Sequence, residues 1–197
     1  MPRPSNTEQR RRQIVQGLMT AMADKGYEKA SIQSIAKAAG LSPGLIHYHF
    51  KTKQDILLAL TEQLSQQAQQ RFQQRLPANA DARATLCAWI DAALALGEGS
   101  DPQAVASWVM IGAEAVRLTE VRQLYRRIID QQQALLCQLL QQLAQQRGET
   151  ISAGQASEAA TFAIASIEGA YQLATTAPGS AQGYAARWLK QALGLIH

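Results

Sequence analysis

The chain has 197 residues, of which 47% are hydrophobic and 17% charged, and a formal net charge of +4. A chain of this length can bury a hydrophobic core without disulfides or a structural metal, which excludes a disulfide-stapled miniprotein. No apolar run reaches the ~18 residues of a membrane helix, and residues 1–15 carry charges where a signal peptide is apolar. We therefore expect a cytoplasmic protein with no membrane segment.

The first predicted helix starts at Thr7, a residue type that caps helix N-termini, and stops at Gly26. Four apolar residues recur within it at the spacing of one buried stripe. They are Ile14, Leu18, Ala21 and Met22. Abundant Ala, Leu, Gln and Arg along the whole chain favour helix over strand, so the predicted fold class is all-α.

A helix-turn-helix follows the first helix. Ser31 is the expected N-cap of a short helix that runs through Ala39, and Gly40 ends it. A third helix begins almost at once, because Ser42 is a preferred N-cap and Pro43 suits the first helical position. Two helices joined by a tight turn that contains glycine form a helix-turn-helix motif.

The third helix covers the stretch SPGLIHYHF, residues 42–50. Side chains two residues apart on a helix point about 200° apart, so His47 and His49 cannot ligate one metal ion, and we predict no metal site. If Ile46 points into the core, Phe50 lies on the same inner side and His49 on its shoulder. The residues predicted to face outward are Gly44, His47 and Tyr48. An exposed aromatic ring beside a bare glycine suits close approach to another surface.

Six further helices are predicted at 53–75, 81–96, 103–118, 121–146, 152–175 and 183–194. The breaks between them include the segments GEGSDP and APGSAQG, whose Gly, Pro and Ser residues are typical of loops. The chain thus divides into a three-helix N-terminal domain at 1–52 and a larger helical domain at 53–197. Cys87 and Cys137 have apolar neighbours inside predicted helices, and we expect buried free thiols.

The charge distribution sets the N-terminal domain apart. Residues 1–55 hold nine Lys or Arg against four Asp or Glu, whereas the remaining residues hold ten against eleven. A basic region next to a nearly neutral one indicates a surface for a polyanion, most simply nucleic acid.

The segment SIQSIAKAAGLSPGLIHYHFKTKQDIL resembles the DNA-binding signature of the tetracycline-repressor (TetR) family of bacterial transcription regulators. The matching residues stand at the family's relative spacing. They are Ile35, Ala36, Ala39, Gly40, Leu41, Ser42, Gly44, His49, Phe50, Lys53 and Leu57. One departure is His47, where the family often has a tyrosine. The resemblance implies a helix-turn-helix DNA-binding domain at 1–52 and a ligand-binding and dimerisation domain at 53–197.

The resemblance also implies which residues contact DNA, since the second helix of the motif lies in the major groove in similar proteins. The implied contacts to base edges and thymine methyls are Pro43, Gly44 and Tyr48, with Gln33 able to reach a base. The implied phosphate contacts are Ser31, Ser42, His47, His49 and Lys53. From charge alone we add Lys51 and the cluster Arg10, Arg11 and Arg12 as phosphate or minor-groove contacts. For the three arginines a solvated helix end is an equal alternative.

The predicted helix at 152–175 carries two apolar stripes and several small residues, which favours burial on two sides. One side would face the protein's own core and the other a partner. In the TetR family the last two long helices pair with those of a second subunit. The resemblance therefore implies a homodimer through the helices at 152–175 and 183–194, placed on a palindromic DNA operator.

Glu114 and Glu168 lie on the apolar sides of their predicted helices, where a carboxylate needs a partner. A salt bridge to Arg117, Arg122 or Arg126 is one interpretation. The other is a polar anchor in a cavity for a small-molecule inducer, an organic cation or a hydrophobic compound. The cavity would be lined by Trp89, Trp108, Tyr125, Phe162 and Tyr171. The segment WVMIGAEAVRLTEVRQLYRRI resembles the C-terminal half of the choline-responsive regulators of the family.

The function that these patterns favour is a dimeric transcriptional repressor, released from its operator by an inducer and needing no cofactor. A non-specific architectural DNA-binding protein is an alternative. A helical enzyme using Glu114 and Glu168 is a weaker one, because the histidines are only His47, His49 and His197. We also find no nucleophile motif, phosphate loop or cluster of metal ligands in the sequence.

Overall fold

A computed structural model describes residues 6–94, 101–177 and 183–196, which form nine helices and no strand. The all-α prediction is confirmed for this part of the chain. The helices are α1 (Asn6–Lys29), α2 (Ile32–Ala39), α3 (Pro43–His49), α4 (Lys53–Arg75), α5 (Ala82–Ala93), α6 (Pro102–Ala115), α7 (Thr119–Gln146), α8 (Ala153–Thr176) and α9 (Tyr184–Ala192). The predicted end of one helix at residue 96, and most of GEGSDP and APGSAQG, lie outside the described residues.

Local side-chain and backbone chemistry sets the ends of the first three helices. Within α1 the backbone leaves helical geometry at Gly26, where φ is 74° and ψ is 165°. The N-cap hydroxyls of Ser31 and Ser42 accept hydrogen bonds from Ser34 N and Leu45 N, at 3.1 and 3.3 Å. Gly40 has the left-handed conformation, with φ 65° and ψ 34°, which a residue with a Cβ rarely adopts. The predicted caps Ser31 and Ser42 and the predicted stops Gly26 and Gly40 are therefore confirmed. The predicted cap Thr7 was wrong, because α1 begins at Asn6 and Thr7 lies inside the helix.

The described residues fall into two compact units. The first comprises Met1–Leu64 and Gln103–Tyr125, and the second Ser65–Pro102 and Arg126–His197. Each of α4 and α7 contributes residues to both units. The division into domains at residue 52 stays a prediction. No helix in the described part of the chain is long and apolar enough to cross a membrane.

The core of the first unit forms where α1 packs against α2 and α3. The predicted stripe of α1 is buried there, together with apolar residues of α2, α3 and α4. The largest fully buried side chains of the first unit are Ile14, Leu18, Met22, Ile35, Ile46, Ile56, Leu57, Leu60 and Ile111. Burying side chains of this size stabilises a fold by roughly 1.5–3 kcal/mol each.

Gly17 lets α1 and α2 approach closely. A Cβ at this position would lie 2.8 Å from the Cβ of Ala39 and 2.8 Å from the carbonyl oxygen of Ile35. Both distances are below van der Waals contact, and the second atom belongs to backbone that cannot move freely. The helix pair therefore requires a residue without a side chain here.

The core of the second unit is a hydrophobic cluster formed by α5, α7, α8 and α9. Polar contacts stabilise the edges of this cluster. Lys190 on α9 forms an ion pair with Asp91 on α5 at 2.7 Å, and Arg83 Nε donates to the carbonyl oxygen of Leu195 at 2.9 Å. The start of α8 is closed by a capping box, in which Ser152 and Gln155 each bind the other's backbone N–H.

Candidate nucleic-acid interface

The short helix α3 separates its apolar and polar residues onto opposite sides. Ile46 is fully buried and Phe50, its C-cap, is buried as well. Gly44, His47 and Tyr48 are exposed, and Tyr48 is the most exposed large hydrophobic residue described, at 80%. His49 is half-buried. The predicted orientation of the helix is therefore confirmed, including the intermediate position of His49.

The Tyr48 ring packs edge to face against the His49 ring, with 5.0 Å between the centroids and 87° between the planes. This contact limits the conformations of an otherwise exposed side chain. A ring that is already ordered loses less conformational entropy when it binds a partner.

The two N-cap serines, Ser31 and Ser42, are exposed, and each keeps an unused hydrogen-bond donor. Each of Ser31 and Ser42 uses its oxygen to accept a backbone N–H. The hydroxyl hydrogen of each stays available as a donor to an outside acceptor such as a phosphate oxygen. Gln33 and Lys51 are also exposed. Their contacts to DNA stay predictions.

Lys53 fastens the start of α4 to the end of α1. Its Nζ donates to the carbonyl oxygens of Tyr27 and Glu28, at 2.8 and 3.1 Å, and lies 4.2 Å from the centroid of the Tyr27 ring. Burial lowers the pKa of Lys53, while the negative charges of Glu114 and Glu28 act in the opposite direction. Lys53, a predicted phosphate contact, thus uses two of its three N–H donors for hydrogen bonds within the protein.

Two side chains of α1 bind carbonyl oxygens at the ends of the next two helices. Arg11 Nη1 donates to the carbonyl oxygen of His49 at 2.6 Å, and its guanidinium lies 4.0 Å from the centroid of the Phe50 ring. Gln13 Nε2 donates to the carbonyl oxygen of Ala39 at 3.0 Å. These contacts could not be predicted from the sequence, because the partner of Arg11 lies 38 residues away and the partner of Gln13 lies 26 residues away.

The connection between α6 and α7 is tied to the end of α1 by charge. Arg117 forms an ion pair with Glu28, and Arg122 Nε donates to the carbonyl oxygen of Ala115 at 2.9 Å. Glu114 lies close enough to raise the pKa of Arg117, although Glu28 has the larger effect. Burial, followed by the charge of Glu114, raises the pKa of Tyr27 to about 12.

The aromatic residues predicted to line a ligand cavity are distributed over both units. In the first unit Trp108 and Tyr125 stack, with 5.0 Å between the centroids and 27° between the planes. A Cβ at Gly112 would make an ordinary van der Waals contact with the Tyr125 hydroxyl, at 3.5 Å. In the second unit Trp89 is buried, and Tyr171 donates its hydroxyl to the carbonyl oxygen of Ala93 at 2.6 Å. The remaining predicted residues of the second unit are Phe162, which is exposed, and Glu168.

Among the described residues no group of three or more His, Cys, Asp or Glu side chains is placed to hold a metal ion. Sequence reasoning missed Gly17 and Gln13. For Gly17 a signal existed, because a glycine inside the buried stripe of a helix costs about 1 kcal/mol relative to alanine and indicates close packing.

The basic part of the chain forms a capped helix-turn-helix with an outward-facing tyrosine. These features are typical of the class of helix-turn-helix DNA-binding proteins. Residues 14–60 match the model described as bacterial regulatory proteins, tetR family. Residues 82–194 match the model of the BetI-type transcriptional repressor, C-terminal. The chain belongs to the TetR family of bacterial regulatory proteins and has a BetI-type C-terminal region. The family is one of transcriptional regulators and not of enzymes.

Similar sequences include the transcriptional regulator BetI of Rhizobium meliloti (strain 1021), 29% identical over 124 residues that span 63% of this chain and 61% of that protein. The regulator PksA of Bacillus subtilis (strain 168) is 42% identical over 67 residues, 34% of this chain and 32% of that one. The match therefore spans less than two thirds of each relative.

Similar solved structures extend over nearly the whole chain. A TetR-family transcriptional regulator from Rhodococcus sp. has a TM-score of 0.82 at 22% identity and covers 95% of this chain and 98% of that one. A transcriptional regulator from Saccharomonospora viridis, solved in complex with choline, has a TM-score of 0.80 at 26% identity, with 95% and 96% covered. These likenesses confirm the fold.

Proposed function

We propose that the protein is a dimeric transcriptional repressor that binds a palindromic DNA operator and leaves it when a small-molecule inducer binds. The observation that carries the proposal is α3, a recognition helix whose Tyr48 is 80% exposed in the basic part of a chain of this family. A repressor of this kind works in the bacterial cytoplasm, where its DNA is.

In this proposal the exposed side of α3 enters the major groove. Pro43, Gly44 and Tyr48 contact base edges and thymine methyls, and Gln33 reaches a base from α2. The proposed phosphate contacts are Ser31, Ser42, His47, His49, Lys51 and Lys53. The spare hydroxyl hydrogens of the two N-cap serines support their part in this set. Lys53 has one N–H left for a phosphate beside its two contacts within the protein.

The proposed dimer interface is the outer side of α8 with α9. The inner side of α8 is buried in the core of the second unit. On the outer side Phe162 and Leu173 are exposed, as is Trp188 on α9, at 54%, 45% and 59%. Large exposed apolar side chains on the last two helices support pairing with a second copy. A twofold dimer would present its two α3 helices to half-sites about 34–36 Å apart.

The proposed inducer is a small organic cation, and choline is the probe of choice. The similar Saccharomonospora viridis protein was solved in complex with choline. In the present chain the stacked Trp108 and Tyr125 supply aromatic surface of the kind that binds quaternary ammonium groups. Ser107, next to Trp108, has a buried hydroxyl with no hydrogen-bond partner within the described residues, which a ligand or water would satisfy. The proposed site further includes Glu114 of the same unit.

Release of DNA follows if the inducer binds the DNA-incompetent arrangement more tightly than the DNA-binding one. In our proposal α4 carries the change, because this single helix starts beside the helix-turn-helix and continues into the second unit. A shift of α4 would alter the separation of the two recognition helices.

Footprinting on the DNA upstream of the protein's own gene tests the proposal. We expect a protected palindrome, and we expect choline at millimolar concentration to remove the protection. Trp108→Leu should keep the footprint and lose the response to choline. A similar affinity for operator and random DNA would favour the alternative of an architectural DNA-binding protein.

A further inference from the structure

Helix α3 has only seven residues, fewer than an isolated helix needs to be stable in water. Its position must therefore be set by contacts to the rest of the domain. Ile46 and Phe50 supply the apolar anchors. Readout of base edges tolerates errors of only about 0.5 Å and 10–20° in the position of the reading side chains, so further contacts that fix the helix bear directly on specificity.

Arg11 makes such a contact at the C-terminal end of α3. Its guanidinium donates to the carbonyl oxygen of His49, the last residue of the helix, at 2.6 Å. A cation at this end complements the helix dipole and satisfies a carbonyl that has no partner within the helix. The same guanidinium lies 4.0 Å from the centroid of the buried Phe50 ring. One side chain of α1 thus holds both the end of α3 and its apolar anchor.

Gln13 makes the corresponding contact at the C-terminal end of α2. Its Nε2 donates to the carbonyl oxygen of Ala39, the last residue of that helix. Arg10 Nη1 donates to Oε1 of Gln13 at 2.9 Å, which leaves the amide nitrogen directed to Ala39. Two residues of α1 therefore bind the C-terminal ends of both helices of the motif.

We propose that Arg11 is a positioning residue that sets the pose of the recognition helix α3, with Gln13 doing the same for α2. This role differs from the phosphate contact that the charge of Arg11 predicts, and its effect on DNA readout rests on the proposed function. The two roles have different consequences. Loss of a phosphate contact weakens binding to every DNA sequence, whereas loss of the pose weakens binding to the operator selectively.

The first experiment needs no DNA. Hydrogen exchange of the Phe50 amide, which donates to the carbonyl oxygen of Ile46 at 2.9 Å, reports on the end of α3 in the free protein. We expect Arg11→Gln to accelerate this exchange about tenfold, the size of one charged hydrogen bond. Arg12→Gln is the matched control, because it removes the same charge from the next, exposed position and should leave the exchange unchanged. Gln13→Met should accelerate exchange at Leu41, whose amide donates to Ala36, and not at Phe50.

The second experiment compares DNA affinities over a range of salt concentrations. For Arg11→Gln we expect the ratio of operator to random-DNA affinity to fall about tenfold, in step with the lost protection. Unchanged exchange at Phe50 would overturn the proposal. So would an equal loss for both DNAs with a salt slope lower by about 1, as expected for a phosphate contact. If footprinting finds no operator, the proposed function fails, while the exchange experiment still decides whether Arg11 holds α3.

Arg11→Lys separates positioning from a phosphate contact, because it keeps the charge. A phosphate contact would be restored by the ammonium group alone. For a positioning residue, operator affinity should recover only as far as the protection of the Phe50 amide recovers. Full operator affinity combined with a fast-exchanging Phe50 amide would contradict the proposal.

Discussion

Helices α3 and α8 both present a large aromatic side chain to the outside, yet the chemistry around the two rings differs. Tyr48 on α3 is 80% exposed among polar and basic residues such as Ser42, His47 and Lys51. Phe162 on α8 is 54% exposed and shares its helix with Leu173 and Gly169, which are also exposed. The exposure of an aromatic side chain indicates only that the surface around it can contact a partner. The neighbouring side chains indicate which partner that surface fits, a polyanion for α3 and an apolar surface for α8.

The two helices also differ in how they are held. The long helix α8 has an entire side buried in the hydrophobic cluster of the second unit. The short helix α3 depends on two buried residues and on contacts at its ends. Substitutions on the exposed side of either helix should therefore leave the fold intact and change one partner only.

The largest effect is expected for Phe162→Glu. A twofold interface meets each substitution twice, so the change would bury two unpaired carboxylates at a cost of several kcal/mol. Sedimentation should show the proposed dimer for the parent and a monomer for the variant, and operator affinity should fall with the loss of the dimer. Val116→Glu is the control, since Val116 is 73% exposed but lies outside α8 and α9. If the two variants had the same mass in solution and the same operator affinity, the exposed side of α8 would not be the surface that binds a second copy.

Tyr48→Ala should act on the other surface. Loss of a base contact costs about 1–3 kcal/mol, so operator affinity should fall roughly 10- to 100-fold in a filter-binding or anisotropy assay. The mass in solution and the thermal unfolding should be unchanged, because the ring is exposed. If random-sequence DNA lost as much affinity as the operator, Tyr48 would not be a reader of bases.

Gly17→Ala should destabilise the support of α3 without touching its exposed side. The new Cβ would clash with Ala39 and with the carbonyl oxygen of Ile35, and overpacking of this kind costs roughly 1–3 kcal/mol. Thermal unfolding followed by circular dichroism should show the loss. Gly44→Ala is the matched control, because a Cβ there meets open space among the described residues. Equal stability of the two glycine variants would show that α1 and α2 can separate at no cost.

The smallest effect at neutral pH is expected for Tyr171→Phe, on the inner side of α8. The change removes the hydrogen bond to Ala93 and should lower the free energy of unfolding by about 1 kcal/mol. Burial raises the pKa of Tyr171 to about 12, so folding favours the neutral phenol. The parent should keep this contribution below pH 10 and lose it as the pH rises through 12. Chemical unfolding at pH 8 and pH 11 measures the difference, and an identical loss in the variant would exclude Tyr171 as its source.

Much of the fold could be predicted because helix ends depend on local chemistry. Ser31, Gly40 and Ser42 act within three or four residues of their own position, so their roles are visible in the sequence. The predicted end of α6 at residue 118 was wrong by three residues, since α6 ends at Ala115. There Arg122 of the following helix binds the carbonyl oxygens of Ala115 and Val116, which stabilises a turn that no local pattern indicates.

The candidate DNA-binding surface was predictable in outline for the same reason. Helical periodicity alone places Tyr48 outward and Ile46 inward. The supports of that surface were not predictable, because Arg11 and Lys53 bind backbone carbonyl groups that only the tertiary fold brings to them. A carbonyl group is present at every residue, so the sequence carries no signal for which one is chosen.

The capping box at the start of α8 has a consequence for the rate at which the proposed dimer would assemble. Because Ser152 and Gln155 satisfy the first backbone donors, the helix can form before any second copy is met. Its outer side would then already be ordered when two chains collide. Formation of the proposed dimer would then need no folding step at the encounter, and diffusion and orientation would set its rate.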